Sequence, residues 1–114
     1  MSEGAKYVDI YSLPVAEARI DEYRRIATEF GTVVIELGGL RYREFAIDDP
    51  GDGHEPGEGE VLTGALVEFT SKQERDSIMD AVMTDPRVEA LMKVDSPGDM
   101  SRMTYGGYTV LVDL

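Results

Sequence analysis

Cysteine and tryptophan are both absent from this 114-residue chain, and histidine occurs once. Without cysteine there can be no disulfide, no thiolate metal ligand and no thiol nucleophile. No apolar run is long enough to cross a bilayer. The N-terminus lacks the basic-then-apolar layout of a secretory signal, so a cytoplasmic location is expected. Positive charge is also scarce: 11 Lys and Arg stand against 23 Asp and Glu, for a net charge of −12. Nucleic-acid affinity is largely the neutralisation of phosphates by basic side chains, and no cluster here exceeds Arg24-Arg25 or Arg41-x-Arg43. Nucleic acid and anionic membrane are therefore both disfavoured as partners. Phosphate-cradling glycine loops, Ser-His-Asp sets and zinc-ligand spacings are missing too, so the motifs call for no cofactor and no metal.

What is present suits one small globular domain spanning 1–114, with 42% hydrophobic residues. The basic residues are skewed, eight Arg to three Lys. A lysine-poor acidic surface fits a high-salt habitat, where self-repulsion is screened, and equally an ordinary acidic soluble protein.

Hydrophobic periodicity lays out the elements. Lys6 to Leu13 alternates as a first strand, which Pro14 is expected to close. From about Ala16, apolar residues at Ile20, Tyr23, Ala27, Phe30, Val34 and Leu37 step by three and four, the pattern of a long amphipathic helix. Gly31 can break that helix, and Gly38-Gly39 should stop it. Leu40 to Ile47 reads as a second strand with interleaved charges, as at a sheet edge. Residues 48–60 have no apolar side chain and are dense in Gly and Pro, which predicts a mobile acidic loop.

Val61 to Phe69 is a third strand, with Val61, Ala65, Val67 and Phe69 on one face. Ser71-Lys-Gln-Glu74 is a capping box opening a second helix. Asp85-Pro86 ends that helix and caps a short third one. After a loop from Val94 to Ser101, a last strand is expected from about Met103 to the end. Its apolar residues occupy both faces, so both faces are expected to be covered.

Strand, helix, strand, strand, helix, strand makes a βαββαβ chain, for which the economical α+β solution is a ferredoxin-like sandwich with a four-stranded antiparallel sheet. The first and third strands lie centrally and both long helices cover one face. The opposite face carries Tyr7, Asp9, Tyr11, Val67 and Phe69 or their alternates, too apolar to stay wet. Two sheets packed face to face would bury it, so a two-fold homodimer is expected.

Lys6-Tyr-Val-Asp9, Leu13-Pro-Val15, Gly39-Leu-x-Tyr42-x-Glu44, Arg75-Asp76, Met83-x-Asp-Pro-Arg87 and Arg102-Met-x-Tyr-Gly-Gly107 together resemble the YbaA-like family. This is a bacterial family of unknown function in the dimeric α/β-barrel superfamily. The resemblance runs across nearly the whole chain and implies the same ferredoxin-like dimer, but no reaction. The chain departs from the family pattern at Phe45, where a cysteine is frequent. It also departs at Gly64 and Leu66, in place of an aromatic pair, and at Ser96-Pro-Gly-Asp99, in place of Met-Pro-Phe-Asp. These changes reshape any shared pocket.

No residue set qualifies as catalytic, so the catalytic residues are unknown. His54 sits in the Gly/Pro loop, where nothing fixes it or tunes its pKa. Asp48, Asp52 and Gly53 match fragments of a calcium loop, but Pro50 and Gly59 fall where further ligands belong. A solvated loop explains them.

Asp9 is a carboxylate in an apolar strand and needs a partner or a role. Placed beside Tyr7, Tyr11 and Tyr105, and near Asp113, it could bind or deprotonate a small polar molecule. The plainer reading is that it accepts hydrogen bonds from tyrosines or an arginine at the dimer interface. Arg102, beside Asp99, either holds an anionic ligand or pins its loop. Asp9, Tyr11, Arg102 and Tyr105 are therefore the pocket candidates.

Three functional readings follow. The first is a homodimer binding a small molecule in a sheet-lined cavity. The second is a cofactor-independent isomerase or oxygenase, because relatives in the superfamily handle small aromatic or polyketide-like compounds with few ionisable residues. The third is a non-catalytic structural or interaction dimer.

Overall fold

The computed structural model describes residues 4–53 and 56–114. The strands are β1 (Tyr7–Ala16), β2 (Arg41–Ala46), β3 (Glu60–Phe69) and β4 (Thr104–Thr109), and the helices are α1 (Ile20–Glu36), α2 (Lys72–Thr84) and α3 (Pro86–Leu91). The sheet order is β2-β3-β1-β4 with every pair antiparallel, which is the ferredoxin-like arrangement.

One sheet face packs on the helices. Strict alternation in β3 sends Thr63, Ala65, Val67 and Phe69 inward. Val67 and Phe69 join Val33 and Val34 of α1, Ile78 and Val82 of α2 and Val88 of α3 in one buried cluster. Each such side chain contributes about 1.5–3 kcal/mol by leaving water. Tyr7, Asp9, Tyr11, Val67 and Phe69 thus face the helices. Their neighbours Val8, Ile10, Leu62 and Leu66 form the open face, together with Phe45 and Tyr108.

The caps form where the sequence places them, although of the Ser71–Glu74 box only the serine half is made. Ser71 Oγ accepts from the Glu74 amide at 3.1 Å, and Asp85 Oδ1 accepts from the Arg87 amide at 2.8 Å. Gly38, with φ of +122°, turns the chain out of α1 toward β2.

Four boundaries differ from expectation. Pro14 does not close β1, which continues to Ala16. β4 pairs with β1 only as far as Ser12, and beyond it the loop takes over. There the Asp99 amide donates to the Pro14 carbonyl at 2.8 Å and the Ala16 amide to the Pro97 carbonyl at 3.0 Å. The ring nitrogen of Pro14 faces this loop rather than β3, so no ladder bond is lost. Helix α1 is preceded by a 3-10 turn at Glu17–Arg19.

Helix α1 also runs unbroken through Gly31, which serves close packing: a Cβ there would lie 2.5 Å from Cδ1 of Tyr42. Finally, β4 stops at Thr109. The Val110 amide bonds to the Lys6 carbonyl at 3.0 Å, and beyond that no neighbouring strand among the described residues continues the ladder. Leu111 is 95% exposed and Val112 69%, so the apolar residues expected in the last strand lie past its end and are uncovered within one chain.

Replacing a mid-helix glycine by alanine ordinarily stabilises by about 0.8–1 kcal/mol. Gly31→Ala should reverse that sign, because the new methyl overlaps the Tyr42 ring, and overpacking costs about 1–3 kcal/mol. Urea unfolding measures the change, and a more stable variant would contradict the packing role.

Candidate functional site

Two polar groupings interrupt the apolar layer between sheet and helices. The first centres on Asp9, which is 0% exposed. Strand β1 aims it at the helices, and Arg75, in the first turn of α2, reaches it. Arg75 Nη1 donates to Asp9 Oδ1 at 2.9 Å and to Tyr105 Oη at 2.9 Å, and Nη2 donates to Tyr7 Oη at 3.1 Å. The guanidinium also lies 5.0 Å from the centroid of the Tyr7 ring. Tyr11 Oη completes the set, donating to Asp9 Oδ2 at 3.4 Å while its ring stacks on Tyr105 at 5.0 Å.

Gly107 sits opposite Asp9 in the ladder, and a Cβ there would collide with the Tyr7 phenol. The glycine is therefore a clearance for Tyr7. Burial, the largest influence, pushes the Asp9 carboxyl above its usual range, and Arg75 acts against it. Burial and the Asp9 charge likewise raise the Tyr11 phenol, which stays protonated near neutrality.

The second grouping was legible in the sequence only as part of a family motif. Alternation in β2 points Tyr42 and Glu44 toward α1, where Tyr23 meets them. Tyr23 Oη donates to Glu44 Oε1 at 2.5 Å and Tyr42 Oη donates to Glu44 Oε2 at 2.5 Å. The Tyr42 ring packs against Phe30, edge on, at 6.0 Å, and rests on Gly31. Burial raises the pKa of both phenols, and Glu44 adds to the rise. A signal was available: a glutamate two residues from a tyrosine on an edge strand, on the face opposite a helical tyrosine.

Glu44, Tyr23 and Tyr42 line a cavity of about 410 Å³ between the sheet and helices α1 and α3. Tyr11 and Ala65 form part of its floor, and Met83, Met92, Met100 and Met103 lie around it. Methionine suits such a lining because its thioether chain adapts to varied shapes. The same three polar residues also border an outer groove of about 650 Å³ between α1 and the β2 edge.

Of the four sequence-based candidates, Asp9, Tyr11 and Tyr105 come together, and Tyr11 alone of them lines the cavity. Arg102 lies elsewhere. Its Nε donates to Asp99 Oδ2 at 2.7 Å, and its Nη atoms pair with Glu60, so it clasps the loop before β4 to the start of β3. Asp113 lies by Gly4, not by Asp9. Asp9 contacts an arginine, as the plainer reading held, but that arginine is under the sheet within the same chain. His54 falls outside the described residues. Among the described residues, no three His, Asp or Glu side chains converge as a metal site, and no helix is long and apolar enough to cross a membrane.

The antiparallel sheet with helices on one face defines an α+β protein of ferredoxin-like fold. Solved structures share it. A dimeric ferredoxin-like protein from an uncultured marine organism aligns with a TM-score of 0.61 at 11% identity, covering 96% of this chain and 99% of that one. A NIPSNAP-family protein of unknown function from Agrobacterium tumefaciens gives 0.63 at 14% identity, over 93% and 88%. A point mutant of SnoaB, a cofactor-independent oxygenase from Streptomyces nogalater, gives 0.61 at 13% identity, over 99% and 98%.

Sequence is more specific. Residues 6–100 match the family of proteins of unknown function DUF1428. The uncharacterized protein YbaA of Escherichia coli K12 is 31% identical over 116 aligned positions, covering 95% of this chain and 98% of YbaA. The chain belongs to this YbaA-like DUF1428 family.

Removing one partner of a buried ion pair strands the other charge, at a cost of about 3–5 kcal/mol. Asp9→Ala should therefore destabilise strongly, and adding Arg75→Met should restore much of the loss in denaturant titrations. Additive losses would show that the pair does not act as a unit.

The raised Asp9 pKa carries its own sign. Its folded value exceeds the unfolded one of 3.8, so folding takes up a proton between the two. Wild-type stability relative to Asp9→Asn should fall as pH rises through that window. Urea midpoints compared across the acid range test this, and a rising difference would mean that Arg75 outweighs burial.

Proposed function

We propose that the protein binds a small, mainly apolar molecule in the cavity beneath the sheet and works as a homodimer joined through the open sheet face. The cavity carries the first half of the reading. Its size falls within the range of about 300–1,000 Å³ usual for small-molecule sites, and its polar groups are few and clustered.

The open face supports the second half. Ile10 sits between Leu66 and Gly106 at its centre, with Phe45 and Tyr108 toward the edges. Ile10 is 41% exposed in the single chain, Phe45 47% and Tyr108 52%. An apolar face of this kind is ordinarily covered. Pairing two copies would cover it, and two structural neighbours are described as dimeric.

Ethylbenzene titrated into labelled protein should shift the backbone resonances of Leu13, Thr63 and Ala65, and Ala65→Phe should abolish the response by filling the cavity. Shifts confined to the open face would sink the cavity reading. Light scattering over a salt series should give twice the chain mass throughout, and a monomer at every salt concentration would remove the dimer.

A further inference from the structure

The polar end of the cavity can accept hydrogen bonds but has almost none left to give. Tyr23 and Tyr42 each spend their single hydroxyl proton on Glu44. Thr63 Oγ1 spends its own on the Leu13 carbonyl at 2.8 Å, and Tyr11 spends its on Asp9. The remaining hydroxyl among the lining residues, Ser96, lies exposed.

What this end still offers is lone pairs. An ionised carboxylate has about four acceptor sites. Glu44 uses two of them on the phenols. No Lys or Arg among the described residues forms an ion pair with Glu44. The contrast with Asp9 is direct, since Arg75 meets that carboxylate inside the same layer. Glu44 is only half-buried, and its remaining lone pairs face the cavity and the outer groove, so a donor brought by a ligand would replace water there with a charge-assisted hydrogen bond.

We infer that Glu44, steadied by Tyr23 and Tyr42, is the cavity's anchor. It takes a small apolar molecule through a hydrogen-bond-donating head, a hydroxyl or a protonated amine, and it rejects acids. Resting on the cavity reading above, this names the class of ligand. A carboxylate head would bring two more acceptors and a like charge to a point with no donor to meet them. A bare hydrocarbon would fill the apolar volume and leave Glu44 as it is. The phenols fix the carboxylate from opposite oxygens, so the direction of approach is set before the ligand arrives.

The test is a matched set of four probes sharing one aromatic body: ethylbenzene, 2-phenylethanol, 2-phenylethylamine as its cation, and 3-phenylpropionate. Affinities are read by titration calorimetry and by resonance shifts of the lining residues. The alcohol and the ammonium should bind about tenfold or more tighter than ethylbenzene, as a hydrogen bond to a charged acceptor allows, and the propionate weaker than ethylbenzene. Glu44→Gln should collapse that order while ethylbenzene still binds, which also shows that the cavity is intact.

The neutral alcohol guards against a trivial gain from the chain's overall negative charge, which would favour the ammonium alone. If the propionate matches the alcohol, or if the order survives Glu44→Gln, the anchor assignment is overturned and the cavity reading stands. If none of the four probes binds, the cavity reading falls and the anchor falls with it.

Discussion

The pair between Asp9 and Arg75 is the constraint around which this fold is arranged. A guanidinium and a carboxylate taken out of water lose several kcal/mol of solvation each, and only close, well-directed partners return it. Here those partners come from three elements: Asp9 and Tyr7 from β1, Tyr105 from β4, and Arg75 itself from α2. The requirement that all four groups meet fixes the helix against the central strand and fixes β4 in register beside it. A slip of one residue in β4 would turn Tyr105 to the open face, and a slip bringing Tyr108 opposite Asp9 would also place a side chain over the Tyr7 phenol. Apolar packing alone would leave such slips less costly.

The second grouping follows a different logic. Tyr42 can reach Glu44 only because Gly31 leaves room for its ring against α1. The helix gives up propensity at that residue, and the layer gains a carboxylate held at the wall of a cavity. One carboxylate is neutralised by an arginine and buried as structure; the other is steadied by phenols and left short of donors. Tyr11 stands between them, bonded to Asp9 and lining the cavity that Glu44 shares. Placing the two side by side separates a carboxylate met by an arginine from one met only by phenols.

Much of the architecture was legible in the chain, because periodicity and caps are local. The 3.6-residue stepping from Ile20 to Val34, the Ser71–Glu74 box and the Asp85-Pro86 cap each encode their element without reference to anything distant. The strand order followed from connectivity. The site was less legible. Asp9 could be singled out as a carboxylate among apolar neighbours, but its partner lies in a helix 66 residues away in the chain, and no local pattern distinguishes Arg75 from a surface arginine. Glu44 looked like one of several charges on an edge strand, where charge is expected anyway. Gly31 and Pro14 both owe their places to tertiary circumstance: the Tyr42 ring needs the space at Gly31 despite the propensity lost there, and β4 ends before the Pro14 ring nitrogen would face it. Arg102 showed the reverse: its local neighbour Asp99 was the correct clue, and Glu60 added a second anchor.

The short β4 has a colloidal consequence. Its outer edge and the apolar residues after it, Leu111 and Val112 above all, offer unpaired backbone and oil-like side chains to any other chain in reach. Within one subunit, nothing steric among the described residues guards that edge. What keeps neighbouring molecules apart is long-range repulsion from a net charge of −12, and that field vanishes near the isoelectric point of about 4.3. The surplus of acid is then a shield for an unfinished sheet, one that acid or added salt thins.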